Sequence, residues 1–219
     1  MGEDEQPDEV VPGGDSTGGD TTGTEYTARL RRLSGAGWKQ RLDVQAPYRW
    51  NLRRLLGART VLDVGCGIGR NLVALSPDSL GVDHNPHSVA RCRELGLRAE
   101  TAQQFHASRH EPFDGMLAAH VVEHLPPGGE PDVLREYLPY LAAGAVVVLI
   151  CPQERGFASD STHTTFFDVE DLVALSEAVG LQVRRTLSFP FPRIAGRAFP
   201  YNESIVVSSW PGGDQESTR

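Results

Sequence analysis

Hydrophobic residues are distributed along this chain in two alternating patterns. Short, nearly uninterrupted apolar runs such as Ala145–Ile150 are separated by longer stretches, such as 168–180, in which apolar residues recur at helical spacing. The first pattern is typical of strands buried on both faces, and the second is typical of amphipathic helices. The alternation of the two predicts an α/β protein whose parallel strands are joined by right-handed helical crossovers.

The two patterns predict seven strands and six helices. The strands are expected at 60–64, 80–82, 97–99, 113–119, 145–150, 181–188 and 203–208. The helices are expected at 25–33, 47–56, 70–75, 86–95, 131–141 and 168–179. Helix signals support some of these boundaries, because Pro86 begins one helix, Gly96 ends it, and Asp168 caps the last.

The run Val61–Leu72 is the clearest candidate for a binding site. Its strand carries Asp63 near the carboxyl end, and glycines then occupy the alternate positions of Gly65–Gly69, where the missing Cβ lets a small molecule approach the backbone. The next predicted strand ends in Asp83, whose carboxylate can accept both hydroxyls of a ribose. Because open α/β sheets bind ligands at the carboxyl ends of their strands, these residues predict a nucleoside-containing ligand.

Several nucleotide cofactors bind to glycine loops of this general kind. The dinucleotide fingerprint requires glycine or alanine three residues after its second glycine, and Arg70 stands there. A phosphate-binding loop requires Gly-Lys-Ser or Gly-Lys-Thr, whereas the only lysine in the chain is Lys39. The acid at the entrance of the loop favours a cationic ligand over a pyrophosphate. A nicotinamide-dependent oxidoreductase and a catalytically silent cofactor-binding protein remain as alternatives.

The sequence Asp-Val-Gly-Cys-Gly at 63–67, followed by Asp83, resembles that of the class I S-adenosylmethionine-dependent methyltransferases of the small-molecule type. The resemblance covers roughly residues 45–185. It implies a Rossmann-like seven-stranded, mostly parallel sheet with helices on both faces and an antiparallel last strand. It also implies that S-adenosyl-L-methionine is the cofactor and that the reaction is methyl transfer.

The same resemblance implies a set of cofactor-binding residues. Asp63 and the glycine loop would surround the methionine part of the cofactor, and the start of the next helix would bind the carboxylate of that part. Asp83 would bind the ribose. The remaining members would lie near the adenine or the sulfonium, although relatives usually carry an acid where Thr101 stands. The complete set comprises Asp63, Gly65, Cys66, Gly67, Gly69, Arg70, Asn71, Asp83, His84, Asn85, Thr101, Ala102, Gln103 and His120.

Two histidines are candidate catalytic residues. In the resemblance, the segment 118–125 after the fourth strand faces the transferred methyl group, and it contains His124. His163 lies in the segment that follows the fifth strand, at the same edge of the sheet. Because the pKa of imidazole is near neutral, His124 or His163 could take a proton from an attacking hydroxyl or amine. A purely structural role for both histidines remains open.

Metal-ligating residues occur in the same two segments. Their spacing does not match the zinc motif His-Glu-x-x-His, so the sequence predicts no metal site. The residues that could nevertheless converge are His120, Glu123, His124, Asp160 and His163.

The acceptor is predicted to be a small molecule that offers an oxygen, nitrogen or carbon nucleophile. Residues 26–219 hold 21 of the 29 acidic residues and all 21 basic ones, so no basic field is expected to attract nucleic acid or a membrane surface. Enzymes that methylate amino groups of nucleobases carry Asp or Asn followed by Pro-Pro and an aromatic residue after the fourth strand, whereas residues 119–122 are Ala-His-Val-Val. Cytosine-C5 enzymes need Pro-Cys, and Cys151-Pro152 has the reverse order.

The chain divides into three predicted regions. Residues 1–24 are acidic and nearly devoid of apolar side chains, which predicts a disordered tail. The methyltransferase domain is expected at 25–210, and 211–219 form a flexible end. No secretory signal and no membrane span are recognisable, and three widely spaced cysteines favour a reducing compartment, so the predicted location is cytoplasmic. The sequence leaves the oligomeric state open.

Overall fold

A computed structural model of the chain describes residues 45–212. The predicted acidic tail, the predicted helix at 25–33 and residues 213–219 lie outside this range. Between residues 45 and 212, no helix has both the length and the apolar character needed to cross a membrane.

One seven-stranded sheet organises the described chain. Its strands are β1 (Val61–Val64), β2 (Leu80–Asp83), β3 (Ala99–Thr101), β4 (Phe113–Ala119), β5 (Leu141–Pro152), β6 (Gln182–Phe189) and β7 (Glu203–Ser209). Their spatial order is β3-β2-β1-β4-β5-β7-β6. The neighbours from β3 to β5 pair in parallel, whereas β7 is antiparallel to both β5 and β6. This topology confirms the Rossmann-like sheet with an antiparallel last strand.

Helices cover both faces of the sheet. They are α1 (Ala46–Leu56), α2 (Pro86–Glu94), α3 (Ala102–Ala107), α4 (Glu130–Tyr137), α5 (Glu154–Phe157) and α6 (Val169–Ala178), with 3-10 turns at Leu72–Ala74, Val122–His124, Leu138–Tyr140 and Arg193–Arg197. Successive strand residues point to opposite faces. In β1, Leu62 joins a core that includes residues of α3, α4 and α6, while Val61 packs with the leucines of α1.

Several predicted boundaries differ from the observed ones. The helix expected at 70–75 is only the 3-10 turn Leu72–Ala74, and Pro77 disfavours continuation of helical backbone through Ser76. The third strand is Ala99–Thr101 rather than 97–99, since the Leu97 N–H instead bonds to the Cys92 carbonyl at the end of α2.

The segment before β5 also departs from its prediction. The helix expected at 131–141 ends at Tyr137, and Pro139 lies in a 3-10 turn. β5 then begins at Leu141, earlier than the apolar run alone indicates. Helix α3 was not predicted, although Thr101 and Gln104 form a capping box that begins it.

Candidate active site

The glycine loop lies at the carboxyl edge of the sheet, where β1 and β2 end. The Gly65 and Cys66 N–H groups both donate to the Val82 carbonyl, at 2.8 and 3.1 Å. Gly65, Gly67 and Gly69 have φ angles of 70°, 52° and 82°, which glycine adopts without the strain that other residues incur. The loop therefore turns sharply back onto the end of β2.

Two of these glycines are also required by the packing of the chain itself. A Cβ on Gly65 would lie 2.5 Å from a methyl group of Val121, and one on Gly69 would lie 2.5 Å from a methyl group of Leu97. The contact with Val121 holds the segment after β4 directly against the glycine loop. The positive φ angles and this packing therefore favour glycine at these positions, in addition to the predicted approach of a ligand.

Cys66 is a buried thiol within the same loop. A hydrogen bond with Cys92, burial and nearby carboxylates raise the pKa of the Cys66 thiol well above its usual value. The group therefore stays protonated at neutral pH and is unsuited to act as a nucleophile.

Asp83 connects the loop to the end of β2. Its Oδ2 accepts a hydrogen bond from the Gly67 N–H, and its Oδ1 accepts one from the Asn85 N–H, both at 2.8 Å. Each carboxylate oxygen can accept more than one hydrogen bond, so the predicted ribose contact is compatible with this arrangement.

The two residues after Asp83 have different surroundings. The His84 ring lies 3.6 Å from Asp83 and is half exposed, as a residue beside an adenine could be. Asn85 is fully buried, and its side chain accepts the His87 N–H at the start of α2.

Asp63 is the most unusual carboxylate of the site. It is 1% exposed, and within residues 45–212 neither of its oxygens has a hydrogen-bond partner. Burial, and secondarily the charge of Asp83, raise the pKa of Asp63 to about 8. A buried carboxylate without a partner at the end of β1 fits a site for a cationic group, such as the α-amino group of S-adenosylmethionine.

The residues predicted to bind the carboxylate and the adenine of the cofactor are less favourably placed for these contacts than Asp63 and Asp83 are for theirs. Arg70 and Asn71 were expected at a helix N-terminus, but only a 3-10 turn of three residues follows them, so no helical N–H cluster is available to a carboxylate. The Thr101 hydroxyl accepts the Gln104 N–H of the capping box. Ala102 and Gln103 are the first residues of α3, and the Gln103 side chain is exposed.

His120 lies at the end of β4 between two carboxylates. It adopts a φ of 58°, which is rare for residues other than glycine. Its Nε2 is 2.9 Å from Glu203 and its Nδ1 is 3.2 Å from Glu123. Burial by itself lowers the pKa of His120, but the two carboxylates outweigh it and raise the pKa to about 10. The imidazole is therefore cationic at neutral pH and cannot serve as a base.

The structure brings the two predicted catalytic histidines together, with ring centroids 4.7 Å apart. His124 Nδ1 lies 3.2 Å from the Thr162 carbonyl, and His163 Nδ1 lies 2.8 Å from the Phe157 carbonyl. A carbonyl can only accept, so this hydrogen bonding assigns the proton to Nδ1 in both rings and leaves a lone pair on each Nε2. Burial is the main cause that lowers the pKa of His124, which keeps this ring neutral at pH 7.

Glu123, which the sequence offered only as one of several possible metal ligands, connects several parts of the site, and Glu203 was not predicted as a site residue at all. The Glu123 side chain is fully buried, and its main-chain carbonyl accepts the Thr164 N–H at 2.7 Å, which ties the turn after β4 to the loop after β5. Burial alone would raise the pKa of Glu123, but the hydrogen bond and charge of His120 lower it, so the group is ionised. Its position three residues after His120 is the one local signal of this pairing, whereas Glu203 is too distant in sequence to give any.

Comparison with known proteins supports the assignment made from the fold and the site. A family described as methyltransferase domain matches residues 28–186. No curated protein matches the chain. Three similar solved structures are an S-adenosylmethionine-dependent methyltransferase from Archaeoglobus fulgidus, magnesium protoporphyrin IX methyltransferase from Synechocystis PCC 6803 with bound S-adenosylhomocysteine, and a chain in complex with the Trm112 methyltransferase activator from Haloferax volcanii.

These structures share the fold at low sequence identity. The Archaeoglobus protein is 20% identical with a TM-score of 0.61, and the match covers 84% of this chain and 99% of that one. The Synechocystis enzyme is 15% identical with a TM-score of 0.62, over 87% and 96% of the two chains. The Haloferax chain is 16% identical with a TM-score of 0.64, over 86% and 96%.

The family match, the sheet order and the pair Asp63 and Asp83 all indicate S-adenosylmethionine as the cofactor. They therefore argue against a nicotinamide cofactor. The chain therefore belongs to the methyltransferase-domain family and is an S-adenosylmethionine-dependent methyltransferase.

Proposed function

We propose that this enzyme methylates an oxygen, nitrogen or carbon nucleophile of a small molecule. The observation that supports the proposal most is the pair His124 and His163, whose rings lie close together in the segments that follow β4 and β5 and whose Nδ1 atoms both face carbonyls. S-adenosylmethionine supplies an electrophilic methyl group on a sulfonium. The protein then has to hold the acceptor in line with that methyl and remove a proton where the nucleophile carries one.

Each part of the site has a distinct task in this proposal. Asp63 would pair with the amino group of the cofactor, and Asp83 would accept the ribose hydroxyls. The segment after β4 packs against the glycine loop through Val121, and His124 follows Val121 by three residues. The unprotonated Nε2 atoms of His124 and His163 are the candidate proton acceptors, since His120 is already cationic.

A small acceptor accounts better for the charge of the chain than a nucleic acid does. Residues 26–219 contain equal numbers of acidic and basic residues, so there is no excess of positive charge to neutralise phosphates. Among the similar structures, the Synechocystis enzyme is named for a small-molecule acceptor, magnesium protoporphyrin IX. We also propose a cytoplasmic location, which the three buried and unpaired cysteines support.

Screening acceptors with S-adenosylmethionine and measuring S-adenosylhomocysteine tests the proposal. With an acceptor in hand, His124→Ala and His163→Ala should each lower turnover by about a hundredfold, because a positioned proton acceptor contributes roughly that much. The affinity for S-adenosylmethionine should stay unchanged. His106→Ala is the matched control, since His106 lies on α3 and pairs with Glu136.

Two outcomes would contradict parts of the proposal. If both single variants and the double variant keep full turnover, catalysis is positioning alone and both histidines are structural. If the folded protein binds S-adenosylmethionine and methylates no small molecule, it is a silent cofactor-binding protein or acts on a macromolecule.

A further inference from the structure

We propose that Glu123, His124 and His163 form a binding site for a divalent transition-metal ion. One ligand atom from each of the three side chains lies within 4.8 Å of the other two. The inference deepens the proposed function and rests on it for the role of the ion, although binding of the ion can be measured by itself.

The two histidines are arranged as metal ligands usually are. A ligating imidazole typically donates its second ring N–H to a carbonyl or carboxylate, which fixes the tautomer and the ring orientation. His124 Nδ1 has the Thr162 carbonyl at 3.2 Å, and His163 Nδ1 has the Phe157 carbonyl at 2.8 Å. Both Nε2 atoms therefore carry lone pairs, as ligation requires.

Additional contacts hold each ring in place. The Thr162 hydroxyl lies 3.3 Å from His124 Nδ1 and donates its own hydrogen to Asp160 at 2.8 Å, so it accepts from the ring. The His163 ring stacks on Phe157, with centroids 5.2 Å apart and the planes 24° from parallel. These contacts restrict the rings before any ion binds, which lowers the entropic cost of ligation.

Glu123 supplies the third ligand and the negative charge. Its side chain is 0% exposed, and its Oε1 pairs with His120 Nδ1 at 3.2 Å. Its Oε2 accepts a weak hydrogen bond from the Cys151 thiol, at 3.5 Å. The buried carboxylate thus provides an oxygen ligand and a negative charge directly beside the two imidazole rings.

The kind of ligand indicates the kind of ion. Two imidazole nitrogens and one carboxylate oxygen suit Zn²⁺, Fe²⁺ and related first-row ions, whereas Mg²⁺ and Ca²⁺ prefer sites made of oxygen ligands. Three protein ligands leave coordination positions open to another molecule. Both histidines are partly exposed, so the cluster is accessible from solvent.

An ion at this position favours one class of acceptor, a molecule with a hydroxyl group. A nearby divalent cation lowers the pKa of a hydroxyl that it contacts, so the hydroxyl releases its proton to water. The acceptor oxygen then forms a bond to the methyl carbon while the carbon–sulfur bond breaks, and that electron pair remains on sulfur. With the ion bound, His124 and His163 are ligands; without it, their Nε2 atoms are the proton acceptors.

Calorimetric titration of the chelator-treated, full-length protein tests the site. We expect one Zn²⁺ per chain to bind to the wild type, and Mg²⁺ at the same concentration to give no binding heat. His163→Ala should weaken this Zn²⁺ binding by about a hundredfold or more, because even the loss of a residue that only orients a metal ligand costs 10–100-fold. Co²⁺ should give visible absorption bands with the wild type that are lost in the variant.

The controls separate this site from adventitious binding and from misfolding. His106→Ala removes a histidine of α3 outside the cluster and should bind Zn²⁺ as the wild type does. Glu123→Gln changes a buried residue, so the melting temperature of this variant is measured first. If Glu123→Gln does not fold, His124→Ala is used in its place. Equal Zn²⁺ and Co²⁺ binding by wild type and His163→Ala would overturn the proposal.

Activity measurements distinguish the failure of this inference from that of the proposed function. If the chelator-treated enzyme methylates a small acceptor at full rate and binds no Zn²⁺, the metal site is wrong and the proposed function stands. If Zn²⁺ binds through the three residues and no small acceptor is methylated, the site stands and the proposed function fails. If Zn²⁺ restores the activity of chelator-treated wild type, both are supported.

Discussion

At the residue scale, Asp63 and Asp83 are two buried carboxylates in opposite situations. Asp83 accepts two backbone N–H groups at 2.8 Å, whereas Asp63 has no hydrogen-bond partner among residues 45–212. A buried, unpaired charge is unfavourable, and the raised pKa of Asp63, about 8, reflects this cost. Asp63 therefore lowers the stability of the protein without cofactor and is available to a cationic ligand.

Replacement of Asp63 by asparagine should separate stability from binding. The folded-state pKa lies above the unfolded value of about 4, so the stability of the wild type falls as pH rises from about 4 to 8. Asp63→Asn removes that loss and should raise the free energy of unfolding by about 5 kcal/mol at pH 8, but by only about 1 kcal/mol at pH 5. Urea unfolding of the cofactor-free protein at both pH values measures this.

The same variant should bind S-adenosylmethionine about tenfold or more weakly, since a charged hydrogen bond is lost. Asp83→Asn is the control for the stability measurement. It replaces one acceptor oxygen by an amide NH2 that faces a backbone N–H, so the stability of this variant should fall. A variant Asp63→Asn that is no more stable than the wild type at pH 8 would mean that the carboxylate is compensated in the folded protein.

At the element scale, predictions succeeded where hydrophobicity alone determines structure. The run Ala145–Ile150 and the segment 113–119 are strands because their apolar residues are buried on both faces of the sheet. The segment 70–75 forms only a 3-10 turn, and Pro77 disfavours helical backbone at the residue before it. Helix α3 was missed because just one of its residues, Phe105, is buried, so the apolar pattern is too weak to detect.

Two requirements for glycine, a positive φ angle and the absence of a Cβ, can be measured separately at the turn after β1. Gly65 has a positive φ, and an added Cβ would clash with Val121, whereas Gly96 has a similar φ of 75° with nothing within 4 Å of the added Cβ. Gly96→Ala should cost about 1 kcal/mol of stability from backbone strain. Gly65→Ala should cost roughly 3 kcal/mol, because overpacking adds to the strain.

Denaturant unfolding of the two single variants and of Gly65→Ala/Val121→Ala decides this prediction. The second substitution removes the clashing methyl groups, so the double variant should recover part of the loss while the strain remains. Equal costs for Gly65→Ala and Gly96→Ala would show that Val121 moves aside freely and that it does not hold the segment after β4 against the loop.

At the scale of the whole molecule, the candidate cofactor-binding residues are close together in sequence, whereas the candidate acceptor-binding residues are not. Asp63, Asp83 and the glycines belong to one strand–turn–strand unit, so local spacing and the family resemblance identify them together. The candidate acceptor residues come together over long distances in sequence, because β4, β5 and β7 are neighbours in the sheet. Glu203 pairs with His120, and His163 lies beside Glu123 and His124. No local pattern encodes such long-range contacts.

The acidic N-terminal segment is expected to contribute little to the stability of the folded domain. Residues 1–24 carry only negative charge, precede the family match at 28–186 and have few apolar side chains. A segment of this composition contributes little to a core, so we expect deletion of 1–24 to leave the melting temperature within about 1 °C and the cofactor affinity within about twofold. Differential scanning calorimetry and titration with S-adenosylmethionine measure both.

A longer deletion provides the matched control for this prediction. Removal of residues 1–56 also removes α1, whose Leu52, Leu55 and Leu56 are buried against one face of the sheet. Each buried leucine contributes about 2 kcal/mol, so this deletion should lower the melting temperature strongly or prevent folding. If deletion of 1–24 alone lowers the melting temperature by several degrees, the acidic segment packs on the folded domain and the boundary at residue 25 is wrong.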